Sequence, residues 1–212
     1  MPKNIKKKSA SHIYYGTHRT TGDLLYIDDV PSGKRCECNC TYCNQPLEAR
    51  KGKIRRHHFA HISNYECMYA GEVAIYKAFA DLLESIKQIT LPSKQLCFPS
   101  WHEPEIVQDS RKIIINSVVF ECTELAYPPV LKVVSQGYEL RIILEFNHYY
   151  TQEDQKILSD EAERSCYALL VYHLPKIDDH TSFAPPQLNS IIMKADNAEW
   201  WFSQEVDRKS VV

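Results

Sequence analysis

At 212 residues, 44% hydrophobic and 25% charged, the chain has the composition of an ordinary folded protein, which excludes wholesale disorder and a membrane bundle. Its formal charge of −2 is unevenly spread: residues 1–58 carry 12 lysines and arginines against 5 acids, and the remainder carries 13 against 22. The basic first quarter is a candidate contact for polyanions.

The longest apolar runs, Ile113-Ile114-Ile115 and Ile142-Ile143-Leu144, are strand-sized, against the roughly 20 residues that a bilayer crossing needs. Met1 to Lys8 holds four lysines, but Ser9 to Thr21 behind them is polar and aromatic, so no secretory signal is readable and a cytoplasmic protein is expected, with no membrane partner. Residues 12–30 read as two short strands joined by the Thr-Gly-Asp turn at Thr21 to Asp23. Pro31-Ser32-Gly33 then turns the chain into a cysteine cluster. From Cys40 to His61 the pattern is a cysteine knuckle, a short segment with Leu47 and Ala49, a Lys-Gly-Lys turn at Lys51 to Lys53, and a histidine-rich strand.

Glu72 to Lys87 is the clearest helix, because Val73, Tyr76, Phe79, Ala80, Leu83 and Ile86 recur at three and four without a Gly or Pro between them; Pro92 closes its far side. Segments 111–120, 130–134 and 138–147 read as sheet. Thr151 to Arg164 is polar with Ile157, Leu158 and Ala162 at helical spacing, a surface helix capped by Thr151 or its neighbour. Ala168 to His173 is a buried strand, and Pro185-Pro186 opens a tail whose Trp200-Trp201-Phe202 packs back on the sheet. An α+β or α/β domain behind a small metal module is expected, with a break near residues 62–71.

Eight cysteines without a readable signal should be reduced, so their spacing is read first as metal chemistry. Cys97, Cys122 and Cys166 stand alone among apolar residues and read as core fillers. Cys40 and Cys43 form a Cys-x2-Cys knuckle, which supplies two thiolates of a zinc tetrahedron from one tight turn. The second pair comes from His58, His61 or Cys67, with His57 able to replace His58. His58 and His61, three apart, share a side if their segment is helical or turned. A Cys2His2 or Cys2HisCys structural zinc site follows, with Cys36 and Cys38 as further ligands or as spares. Without the ion, so short a module lacks the apolar residues to hold itself together.

The run Cys-Asn-Cys-Thr-Tyr-Cys-Asn-Gln-Pro-Leu-Glu-Ala-Arg-Lys-Gly-Lys at 38–53, with His-His-Phe-Ala-His at 57–61, Cys67 and Glu72, resembles the N-terminal part of competence protein CoiA-like proteins. The resemblance continues more weakly through the strand ending at Glu145, the polar helix with Lys156 and the tail at Trp200-Trp201, and spans roughly residues 12–203. It implies a zinc-binding module over residues 1–68 and a nuclease-like domain of the PD-(D/E)xK type over residues 69–212, in a family tied to handling incoming DNA.

Such a fold cuts phosphodiesters with carboxylates that hold Mg²⁺ or Mn²⁺ and a lysine that steadies the transition state. The resemblance assigns Glu145, Glu72 and Lys77 to that site. The chain departs from the pattern elsewhere: Tyr127-Pro128-Pro129-Val130 has proline where an aspartate is expected, Asn147 takes the lysine position, and Tyr76 and Ala80 replace a histidine and a second lysine. Glu121 or Glu124, with Lys132 or Lys77, are the residues that would make good the loss. The expected function is therefore a zinc-containing protein that binds nucleic acid, DNA in preference to RNA, over a degenerate nuclease site. Phosphate contact would come from Arg50, Lys51, Lys53, Arg55 and Arg56, with Tyr14, Tyr15 and Tyr42 stacking on bases. The alternatives are an active metal-dependent nuclease with Glu72 and Glu145 as ligands, and a protein-interaction module presenting the acidic helix 153–164 and the aromatic tail to a protein partner. A serine hydrolase is set aside, because no Gly-x-Ser-x-Gly elbow is present.

Overall fold

A computed structural model describes residues 12–63, 67–96, 105–123, 126–146, 150–177, 181 and 183–203. Strands β1 (Tyr15–His18), β2 (Leu24–Tyr26), β3 (Cys38–Asn39), β4 (Leu47–Arg50) and β5 (His58–His61) precede helix α1 (Ala70–Ile86). Strands β6 (Gln88–Leu91), β7 (Lys94–Leu96), β8 (Glu105–Gln108), β9 (Arg111–Ile114), β10 (Ser117–Thr123), β11 (Ala126–Ser135) and β12 (Tyr138–Phe146) follow. The order ends with α2 (Gln152–Arg164), β13 (Ala168–Leu174), α3 (Pro185–Lys194) and β14 (Ala198–Phe202). The class is mixed α+β. The chain forms two compact units, Met1–Leu82 with Pro175–Leu188, and Leu83–Leu174 with Asn189–Val212.

In the first unit β1 lies between β2 and β3, antiparallel to both, and β4 and β5 make a separate antiparallel hairpin. Thr21 to Asp23 is the β1–β2 turn, closed by His18 N–H on Asp23 O at 2.8 Å. Gly16 sits where β1 passes closest to the cysteine segment: a Cβ there would stand 3.0 Å from Cys38 Cβ and 3.3 Å from Leu47 Cδ1. Tyr14, Leu47 and Phe59 are fully buried, and the Phe59 N–H bonds to Ile13 O at 2.8 Å. Phe183, from the late segment, completes this core. Its ring lies 6.1 Å from that of Tyr14, and its carbonyl accepts a 2.5 Å hydrogen bond from the Tyr15 hydroxyl.

The second unit is built on a sheet in the order β10-β11-β12-β13-β14, in which only β12 and β13 run parallel. A parallel pair needs a crossover, and α2 supplies it. Ile142 to Phe146 and Leu169 to Tyr172 are continuously buried, the pattern of strands covered on both faces. Ala162 of α2 joins Ile143, Leu169, Val171 and Phe202 in one apolar cluster, with Leu158 and Trp201 packed against it. Thr151 caps α2 with a capping box: its hydroxyl accepts from Asp154 N–H and the Asp154 carboxylate accepts from Thr151 N–H.

Three expectations need correction. Pro185-Pro186 opens helix α3 and not a tail, since proline fits the first helical turn and Leu188 and Ile192 behind it are buried. Helix α1 ends at Ile86 because Lys87 turns left-handed at φ 56°, donating to Leu83 O, and β6 intervenes before Pro92. Cys166 is exposed just past α2, and Cys122 is half-buried, so neither is a core filler of the expected kind; Cys97 lies outside the described residues. No described helix is long and apolar enough to cross a membrane.

Candidate metal centre

Four side chains converge in the first unit: Cys40, Cys43, His61 and Cys67 place their ligand atoms within 4.8 Å of one another. The local chain explains why. Cys40 N–H bonds to Gln45 O at 2.8 Å and Asn44 N–H returns to Cys40 O at 3.0 Å, with Asn44 left-handed at φ 57°, so the knuckle folds tightly around both thiols. His61 pairs across the hairpin with Leu47, directly after the knuckle, and its Nε2 stands 3.2 Å from Cys43 Sγ. Cys67 is held by the start of α1, where its carbonyl accepts from Ala70 N–H at 3.3 Å.

Tetrahedral ligands on zinc stand about 3.5–4 Å apart, which is the scale of this cluster. Hydrogen bonding from Cys67 pulls the Cys40 thiol down to about 5 against its burial, helped by the backbone N–H groups of Cys43 and Tyr42. Cys67 is pushed up chiefly by that same hydrogen bond, and Cys43 chiefly by burial. A divalent ion bound here would replace the thiol protons. The donors fit zinc, which would act as a structural clamp.

His58 is not part of the cluster. Its segment is a strand, so residues three apart face opposite sides: Phe59 and His61 are buried while His58 and Ala60 are half-exposed. The His58 Nδ1 faces Arg56 O at 2.9 Å and its ring meets that of His12 edge-on. His57 likewise pairs elsewhere, Nδ1 to Asp28 Oδ1 at 2.6 Å. Cys36 and Cys38 are buried outside the cluster and donate to carbonyls, Leu47 O at 3.4 Å and Cys36 O at 3.0 Å; burial pushes the Cys38 thiol up to about 12.

The basic residues divide. Lys51 directs its ammonium inward to Val30 O at 2.5 Å and Asp28 O at 3.0 Å, and Arg50 Nε meets Glu48 Oε1 at 3.0 Å. Lys53 and Arg55 are exposed, and Arg56 is half-buried. Tyr14 and Tyr15 are core residues and cannot stack on bases; Tyr42, half-exposed, lies against the ring of Tyr69.

Of the residues assigned to the nuclease-like site, Glu72 is buried in the first turn of α1, and Lys77 lies further along that helix, where it only partly offsets the burial that raises the carboxyl of Asp81. Glu145 lies in the second unit, buried at the end of β12. Both its oxygens are engaged: Oε1 accepts from Tyr150 N–H at 3.2 Å and Oε2 stands 2.5 Å from His173 Nδ1. The other His173 nitrogen faces Glu199 Oε2 at 2.9 Å, so a carboxylate–imidazole–carboxylate chain crosses β12, β13 and β14. Sequence reading missed His173, although the parallel register Glu145↔His173 would have placed it. Glu121 pairs with Lys132 at 2.8 Å. Glu124 and Asn147 lie outside the described residues.

A cysteine–histidine module of three thiols and one imidazole, closed by a hairpin and a helix start, is thus the class of site the first unit contains. Residues 29–70, which hold all four ligands, match the family model of the competence protein CoiA N-terminal domain, and over that stretch the chain is CoiA-like. Comparison with curated proteins and with solved structures gives no match.

Proposed function

We propose that this is a CoiA-like, zinc-stapled protein that binds nucleic acid, DNA in preference to RNA, through the basic β4–β5 hairpin of its first unit. The observation that carries the reading is the Cys40–Cys43–His61–Cys67 cluster, which fastens the hairpin that bears Arg50, Lys53, Arg55 and Arg56. Zinc there supplies no chemistry beyond fixing the knuckle, the end of β5 and the segment before α1. Lys51 then serves the fold and not the ligand, its ammonium bound to two backbone carbonyls.

The second unit reads as a PD-(D/E)xK-like scaffold with a degenerate site. Support comes from Glu145 at the end of a buried strand followed by a crossover helix and a parallel strand. Among the described residues, the donors around Glu145 are a poor set for Mg²⁺, which supports the degenerate reading over the active-nuclease alternative. The ion demands near-octahedral oxygen ligation, whereas Glu145 gives both oxygens to Tyr150 and His173, and proline holds the position of the second acid.

The test is the affinity of the zinc-loaded protein for a labelled oligodeoxynucleotide across salt concentrations. Neutralising three or four phosphates gives a log–log slope of about −2 to −4. An affinity that does not change between low and physiological salt refutes the reading.

A further inference from the structure

Resting on the reading above, we infer that the turn between β4 and β5 forms a phosphate-binding groove anchored by Arg56. The groove is open, about 530 Å³, and is lined by Arg50, Lys53, Arg55, Arg56 and His58 with Ile54 at its rim, and no carboxylate belongs to its lining. A volume of that order takes a phosphate group together with the sugars on either side.

Arg56 carries the argument. Its Nη1 is covered by the protein and has no hydrogen-bond partner there, so that nitrogen has no bond to lose when the guanidinium turns outward to a ligand in the groove. A buried unsatisfied donor is costly, the more so on a charged group, and turning it to a ligand that supplies the acceptor removes that cost. A guanidinium is a planar fork that matches two phosphate oxygens, so the acceptor it suits is phosphate. The four cations around one concavity also repel one another, and an anion between them removes that repulsion. Arg50 alone has a local carboxylate, Glu48 at 3.0 Å.

The groove is fixed from behind. Lys51 bonds to Asp28 O and Val30 O and His57 pairs with Asp28, so the two residues of this turn that point away tie it to the segment before the cysteines. Ligand binding then has little loop order to create. Ile54 is fully exposed at the rim and gives the face of a sugar or base something apolar to cover.

The experiment uses the full-length, zinc-loaded protein and two probes, inorganic phosphate by calorimetry and a fluorescent oligodeoxynucleotide by anisotropy. Arg56→Gln should weaken both about tenfold or more, with Arg56→Lys recovering only part, since an ammonium lacks the fork. Arg55→Gln, at an exposed position, repeats the test more mildly should Arg56→Gln fail to fold. Lys112→Gln, an exposed cation of β9, removes the same charge elsewhere and should change either affinity less than about twofold. Equal losses in Arg56→Gln, Arg55→Gln and Lys112→Gln overturn the groove and leave the nucleic-acid reading standing. Arg56-dependent binding of inorganic phosphate without oligonucleotide binding upholds the groove and sinks the nucleic-acid reading. A polyglutamate peptide that displaces the oligonucleotide at equal charge overturns the phosphate assignment in favour of an acidic protein ligand.

Discussion

His61 and His58 stand three residues apart on one strand, and their fates separate by face: one imidazole meets the thiols, the other meets Arg56 O. His61→Ala should therefore cost the protein its bound zinc, while His58→Ala should keep it, as read by metal content after exchange against a weak chelator. Zinc lost equally from both variants would mean that the strand register is not the one described. A helical or turned segment would have put both imidazoles on one side, and the His-Phe-Ala-His spacing does not by itself distinguish that from a strand. The knuckle was plain in the sequence because Cys-x2-Cys has one common use; Cys67 was plain as a ligand type but not as a choice, since its place depends on where α1 begins. Arg56 and Lys51 illustrate the reverse limit. Both are cations in one basic run, and only the backbone carbonyls of Asp28 and Val30, more than twenty residues upstream, turn Lys51 away from the other cations.

Among the elements, α2 and β1 bear the most direct tests of how local chemistry holds the fold. A cap at or beside Thr151 was legible because a threonine before a helical pattern has a local physical cause, satisfaction of an otherwise orphaned N–H group. The reciprocal bond with Asp154 that makes it a capping box is seen only in the structure. By contrast, α3 was hidden, because two prolines signal a break as readily as a helix start and only the burial of Leu188 and Ile192 decides between them. The pairings of β6 with β9 and β7 with β8 were hidden too, since their registers are tertiary facts. In β1, a methyl group at Gly16 would press on Cys38 and Leu47, which would have to give by a few tenths of an ångström. Gly16→Ala should lower stability by about 1–3 kcal/mol through overpacking, measured as a drop in the urea midpoint at unchanged slope. An unchanged midpoint would show that β1 shifts freely away from the cysteine segment.

For the whole molecule, a metal held by the cysteine–histidine cluster would divide the stability unequally. The first unit gathers its cysteine–histidine cluster from three separate places in the chain, whereas the second has a continuous apolar sheet core of Ile143, Leu169, Val171 and Phe202 with α2 across it. Chelation should strip hydrogen-exchange protection from the amides of β1 to β5 and spare those of β11 to β13. Uniform loss across all eight strands would count against separate cores. The first unit also draws on Pro175–Leu188, whose Phe183 meets Tyr14 and Tyr15. On the ribosome, then, a metal could enter the cluster as soon as Cys67 has emerged, but the aromatic closure waits until more than a hundred further residues are made. With metal capture early and the final seal late, a nascent chain without the ion would carry three bare thiols and two unmatched tyrosines through most of its synthesis.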